Sequence, residues 1–257
     1  MMRMTNLLVA AIVMMAPAFA IAKDDGLAKA IAAPHRTPAL VERDKARKPQ
    51  EVLEFFSIRP TLTVVEISPG AGYWTEILAP YLKGKGTYYA TVGRAEAYRK
   101  KLAADPALYG EVKLVDMAPG AEIAPAGTAD LVLTFRNVHN WMGNGTADQV
   151  FESFFKALKP GGVLGVEEHR ASTSQPQDPK AASGYVREDY TIQLAEKAGF
   201  KLVGKSELLA NPKDTKDYPE GVWTLPPTLT LGDKDRAKYV AIGEADNFLL
   251  KFQKPKK

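Results

Sequence analysis

Side chains able to hold or move a proton gather in two short stretches, Arg136-Asn137-Val138-His139-Asn140-Trp141 and Glu167-Glu168-His169-Arg170. An imidazole titrates near neutrality, so His139 is the first candidate general base, with His169 and Glu168 as reserves. The alternative is that His139 closes a turn and Trp141 packs, and residue types leave both open. Histidines beside carboxylates are also metal-ligand types, but the spacing carries no metal signature, and no metal is expected. A third stretch suits binding: Val64-Val65-Glu66-Ile67 runs into Ser68-Pro69-Gly70-Ala71-Gly72 and then an amphipathic segment. Glycines let the backbone pass close to a ligand, and the following helix start offers unpaired N–H groups. The turn lacks the Lys-Ser/Thr pair of a triphosphate loop, and Ser68 and Thr75 replace the outer glycines of the dinucleotide pattern. A plain strand-to-helix linker is the alternative reading.

The elements that must position these groups alternate. Helical segments are expected over Asp24–Ala33 and Pro38–Phe56. Strands follow at Leu62–Ile67, Thr87–Val92, Val112–Val115, Ala129–Phe135, Val163–Glu167, Phe200–Leu209 and Phe248–Phe252. Helices at Tyr73–Leu82, Ala95–Ala104, Ala147–Leu158 and Arg187–Ala198 lie between them, with Lys159-Pro160-Gly161-Gly162 closing the third. Such alternation implies a doubly wound α/β architecture, a mostly parallel sheet covered by helices, with ligands at the carboxyl ends of its strands.

Four landmarks in order carry a family resemblance: Glu66-Ile67-Ser68-Pro69-Gly70-Ala71-Gly72, Asp116 after strand three, Ala129-Asp130-Leu131-Val132-Leu133, and Leu158-Lys159-Pro160-Gly161-Gly162. From about residue 50 to 257 the chain resembles the class I S-adenosylmethionine-dependent methyltransferases. The wording around Pro69–Thr75 and Phe135–Trp141 is closest to a group of exported bacterial proteins inferred to be methyltransferases. The resemblance implies a Rossmann-like methyltransferase fold with seven strands, the last antiparallel, and S-adenosylmethionine as cofactor. It also implies cofactor-binding roles for Glu66, Ser68, Gly70, Gly72 and Thr91, for Asp116 and Met117 at the adenine, and for Asn137. It places His139, Asn137 and Trp141 on the acceptor side. Strand two departs from the family pattern: Thr91-Val92-Gly93-Arg94 stands where an acid usually holds the ribose hydroxyls. The expected activity is methyl transfer to a small molecule; an exported, non-catalytic ligand-binding protein on the same fold is the alternative.

The N-terminus reads as a secretory signal peptide. Arg3 precedes an apolar run, Leu7–Met15, and small-x-small sites end at Ala20 and Ala22. The run is too short for a stable membrane span. Cleavage after Ala22 would leave 235 of 257 residues, for a periplasmic or secreted protein with a helical segment at 23–60 and the catalytic domain at 61–257. With no cysteine, thiol and zinc-thiolate chemistry are excluded. A net charge of +4 with dispersed lysines does not suggest a nucleic-acid partner. Arg43 and Arg47 could meet an anionic acceptor, but a solvated helix face with Glu42 and Asp44 is the preferred reading. Tyr218, Trp223, Pro226 and Pro227 suit either a pocket wall or ordinary packing.

Overall fold

The computed structural model describes residues 25–93 and 95–256. The expected signal peptide, its cleavage sites and Arg94 lie outside the described residues. The described residues start with four short helices, α1 (Asp25–Ile31), α2 (Pro38–Val41), α3 (Asp44–Arg47) and α4 (Pro49–Phe55). It continues β1 (Thr63–Ile67), α5 (Thr75–Leu82), β2 (Thr87–Val92), α6 (Glu96–Ala104), α7 (Pro106–Tyr109), β3 (Lys113–Asp116) and β4 (Ala129–Phe135). Then follow α8 (Val138–Gly143), α9 (Ala147–Ala157), β5 (Leu158–His169), α10 (Glu188–Lys197), β6 (Lys201–Ser206), α11 (Arg236–Ile242) and β7 (Asn247–Gln253).

The seven strands form one sheet in the order β3-β2-β1-β4-β5-β7-β6, parallel except where β7 runs antiparallel between β5 and β6. This is the expected Rossmann-like architecture. Parallel strands buried on both faces read as continuous apolar runs, as Val64-Val65 and Leu131-Val132-Leu133 do. One core layer packs Trp74, Ile77, Leu78 and Leu82 with Leu27, Leu53 and Phe56, so the N-terminal helices are built into the main core. A second layer on Phe151, Phe154 and Phe248 covers the other face. A small third cluster gathers Tyr185, Val222, Leu225, Tyr239 and Ala245 above the strand ends.

Three local expectations are corrected. The segment Pro38–Phe56 is not one helix but three, and the second break has a local cause, since proline disfavours helical backbone in the residue before it: Lys48, ahead of Pro49, turns out at φ 43°. Lys159–Gly162 does not merely close a helix, since β5 already begins at Leu158, paired with Ala129. The strand expected over Phe200–Leu209 is only Lys201–Ser206, as suits a sheet edge.

The sheet reverses its winding between β1 and β4. Such a switch point leaves a crevice at the strands' carboxyl ends, because the connections leave in opposite directions. Both strands end there in a left-handed residue that is not glycine, Ser68 at φ 49° after β1 and Arg136 at φ 61° after β4. Each such residue costs on the order of 1–3 kcal/mol and persists only where the surroundings enforce it.

Candidate functional site

A cavity of about 340 Å³ fills the crevice at the switch point. Its floor is the β1 turn, Glu66 to Ala71, with Phe135, Arg136 and Asn137 from the end of β4 and His169 from β5. The N-terminal helices supply Leu40, Arg43 and Arg47; the roof is Val222, Trp223, Pro226, Pro227 and Thr228. Gly70 faces it at φ +59°, where a Cβ would meet nothing within 4 Å. The turn therefore leaves room for a ligand beside its backbone, and only glycine takes that conformation without strain. Trp74 stacks on Phe135 with ring centroids 4.2 Å apart, making an aromatic side wall. Its indole Nε1 is buried without an acceptor.

His139 stands in the wall on the first turn of α8 and is held from behind. Its Nδ1 lies 3.0 Å from Glu168 Oε1, and its backbone N–H donates to Glu168 Oε2 at 3.2 Å. The Glu168 carboxylate also accepts the His169 N–H at 2.8 Å. Burial would lower the His139 pKa, but the adjoining Glu168 charge and hydrogen bond outweigh it and raise it above the ordinary imidazole value. Burial alone would raise Glu168; His139 and His169 bring it below the usual carboxylate range. His169, also in the wall, is driven to about 3 by burial and stays neutral, with Nδ1 unpartnered. The two rings lie 5.7 Å apart. An imidazole fixed through Nδ1 by a buried carboxylate presents its other nitrogen for proton transfer, the arrangement of a general base with its orienting acid.

Adjoining the aromatic wall is a cluster of charge, Arg47 lying over the Trp74 ring. Arg43 binds Glu244 with Nε at 2.7 Å and Nη2 at 2.8 Å, and Arg136 Nη1 reaches the same carboxylate at 3.0 Å. Arg47 and Arg136 each approach Glu167 Oε1 at 3.7 Å. The Arg47 guanidinium also lies over the Tyr73 ring, 4.5 Å from its centroid. Arg47 is 4 % exposed, so the solvated-face reading of this residue is corrected. The helix breaks around α3 roll Arg47 inward, and Asp44 pairs instead with Arg36 at 2.6 Å.

The other expected site residues fall in different places. Ser68 and Gly70 line the cavity, and so does Asn137, whose amide donates to Ile67 O at 3.1 Å and ties the β1 and β4 turns together. Glu66 touches the cavity but spends its carboxylate in a hydroxyl cluster, accepting from Tyr88 and, at 3.0 Å, from Thr75. Burial lifts its pKa to about 7 against those two hydrogen bonds. Gly72, at φ +86°, faces Lys101 and Tyr98 rather than the cavity. Thr91 is fully buried, its hydroxyl accepting the Ser68 N–H at 3.2 Å. Asp116 projects from the rim of β3, its side chain 88 % exposed and paired with Arg99 at 2.9 Å. Neither it nor the neighbouring Met117 lines the cavity. Trp141 packs on Phe151 and Phe154 in the second core layer, away from the acceptor side where it was expected. Trp223, Pro226 and Pro227 take the pocket-wall role, whereas Tyr218 packs on Tyr239. Sequence reasoning missed the Trp74–Phe135 wall, because both residues read as ordinary core. Among the described residues no group of histidine and acidic side chains is placed to hold a metal.

The sequence matches no protein-family model and no curated protein. Solved structures match by shape. A SAM-dependent methyltransferase from Aquifex aeolicus superposes with a TM-score of 0.58 at 17% identity, over 85% of this chain and 94% of its own. The cyclase SpnF gives 0.61 at 15% identity, over 90% and 92%. A Methanosarcina mazei protein described as a SAM-dependent methyltransferase gives 0.54 at 14% identity, over 80% and 98%. At these identities the likeness speaks for architecture, and one architecture hosts several chemistries. The chain has the fold of the S-adenosylmethionine-dependent methyltransferases.

Proposed function

We propose that this protein is an exported S-adenosylmethionine-dependent methyltransferase acting on a small molecule. The observation that carries the reading is the meeting, in one cavity, of an open glycine turn with an imidazole anchored to a buried carboxylate. The residues present suit the cofactor at its amino-acid end. Ser68 to Ala71 leave open backbone, and the unpartnered Trp74 N–H can donate to a carboxylate. At the nucleoside end Asp116 and Met117 remain the candidates on the β3 rim. With Thr91 engaged by Ser68 and no acid ending β2, about 1–3 kcal/mol of binding is forgone, so affinity should be weak.

S-adenosylmethionine, when bound, supplies an electrophilic methyl group on sulfur. An acceptor lone pair held in the cavity would displace the thioether at that carbon, so the chain's own task is to align the two partners. Where the acceptor atom carries a proton, His139 takes it, and Glu168 holds the ring and offsets the imidazolium charge. The remaining work of the site is positioning and exclusion of water beneath the Trp223–Pro227 roof.

Calorimetry of the purified protein with S-adenosylmethionine and S-adenosylhomocysteine tests the proposal. Binding that is lost in Gly70→Arg, whose side chain would occupy the open space beside the turn, is expected. No heat up to millimolar cofactor would leave a ligand-binding protein without methyl transfer. For the base, His139→Ala should lower methyl transfer about 10²-fold or more with cofactor affinity nearly unchanged. Export would be read from an N-terminus at Lys23 or Ile21 in protein taken from its host.

A further inference from the structure

The cavity wall is unbalanced in charge, three arginines against one acid, Glu66, whose carboxylate is engaged by Tyr88 and Thr75. Arg43, Arg47 and Arg136 all line it, whereas their partners Glu167 and Glu244 stand behind them and do not. Glu167 is 1 % exposed and has one oxygen, Oε2, without any hydrogen bond; Arg47 has its Nε without one. Both contacts of Glu167 with arginine are long, at 3.7 Å, so neither is a bidentate pair. A buried guanidinium left short of acceptors is costly unless a partner arrives. The titration shifts agree. Burial, then repulsion from Arg136 and Arg43, brings Arg47 down to about 10, and burial raises Glu167 toward its neutral form, which would leave the arginines still less compensated.

We propose that the methyl acceptor carries an oxyanion, a carboxylate or a phosphate, and that Arg47 and Arg136 receive it. The identification of this ligand as acceptor rests on the methyltransferase reading; its anionic character rests on the wall alone. The acceptor is assigned in preference to the cofactor's own carboxylate by place. Arg136 directly follows β4 and precedes His139 by three residues, and Glu167 lies near the end of β5 beside Glu168, which holds His139. The anion site and the base thus share two strand ends, while the glycine turn belongs to β1.

The test uses benzoate and phenyl phosphate against their uncharged counterparts benzamide and phenol, read by the fluorescence of the wall tryptophans Trp74 and Trp223 and by calorimetry. At least one anion should bind at millimolar concentration or below, with the uncharged counterpart at least tenfold weaker. Which anion binds decides between carboxylate and phosphate. Arg47→Met and Arg136→Gln should each weaken it tenfold or more. Because either variant could disturb folding, Arg47→Met combined with Glu167→Gln removes one charge of each sign and should also lose the anion while keeping a cooperative unfolding transition. Anion binding that survives in the folded double variant, or equal binding of benzoate and benzamide, or no binding of either anion, would overturn the proposal. Saturating S-adenosylhomocysteine separates the two claims. Anion binding that persists with it supports the acceptor assignment, and competition between them would move the arginines to the cofactor and overturn it. Anion binding without any cofactor binding would sink the methyltransferase reading alone.

Discussion

At the residue scale, the two histidines of the site are made different by their surroundings. His139 gains a partner carboxylate and is raised; His169 gains burial without enough compensation and falls to about 3. The sign of the linkage follows. A histidine whose folded pKa is depressed binds fewer protons folded than unfolded between about 6.5 and 3, so stability is full above that window and is lost as pH falls through it. His139 acts the other way, its contribution present below 6.5 and lost as pH rises through its folded pKa. The expected outcome is a loss on the order of 5 kcal/mol from His169 across its window, about 3 kcal/mol of it above pH 4, removed in His169→Gln. Urea unfolding of both proteins at pH 4 and pH 7 measures it; an unchanged pH slope in the variant would refute the assignment. The imidazole at 139 was a candidate by type and by its place after the fourth strand, but its anchor was not legible. Nothing in the sequence says that Glu168, twenty-nine residues on, would turn its carboxylate toward α8 rather than outward. Asp116 shows the reverse case, a residue placed by motif order that lies on an open rim.

The elements explain why the arginine wall could not be read from periodicity. The strand–helix alternation of residues 61–257 is strong because each strand is an apolar run between turn residues, and β2 and β4 match their expected bounds. The N-terminal helices are short, and their inward face is fixed by where they dock. That docking depends on a notch in β5. A Cβ at Gly165 would lie 2.7 Å from Phe56 Cδ1 and 2.8 Å from Leu133 Cδ2, inside contact distance with rings and methyls that are fully buried. Gly165 is thus the seat of Phe56 just after α4, and α4 follows the helix that carries Arg47. Gly165→Val should cost about 1–3 kcal/mol by overpacking and should also weaken whatever ligand Arg47 holds. A stability loss in denaturant without any change in ligand affinity would show that the docking of α4 and the placing of Arg47 are independent.

In the whole molecule the site sits between regions of unequal stability. Its floor is the middle of the sheet, with Val65, Val132 and Leu133 fully buried and laddered on both sides. Its roof belongs to the smallest core cluster, five buried residues around Val222 and Leu225. The Val222 N–H donates to Ser183 O at 2.9 Å, while other backbone bonds stay within the roof segment, Leu225 N–H to Val222 O at 3.2 Å and Thr230 N–H to Trp223 O at 2.9 Å. Polar groups add to this: Tyr185 donates to Asp214, whose other oxygen accepts the Asp246 N–H at 2.8 Å. Small clusters with few buried apolar groups open at lower free energy than the global transition, and a ligand enclosed beneath Trp223 and Pro226 needs some such opening to enter. Amide exchange of Val222 and Leu225 should therefore run about 10²-fold or more faster than that of Val132 and Leu133 once intrinsic rates are divided out. A ligand that binds only the closed roof should slow the first pair and leave the second unchanged, because it stabilises the closed form against local opening alone. Equal protection at roof and floor would mean that the cavity opens only with the whole fold, and entry would then have to pass along the side walls, between the arginines of the N-terminal helices and the Trp74–Phe135 stack.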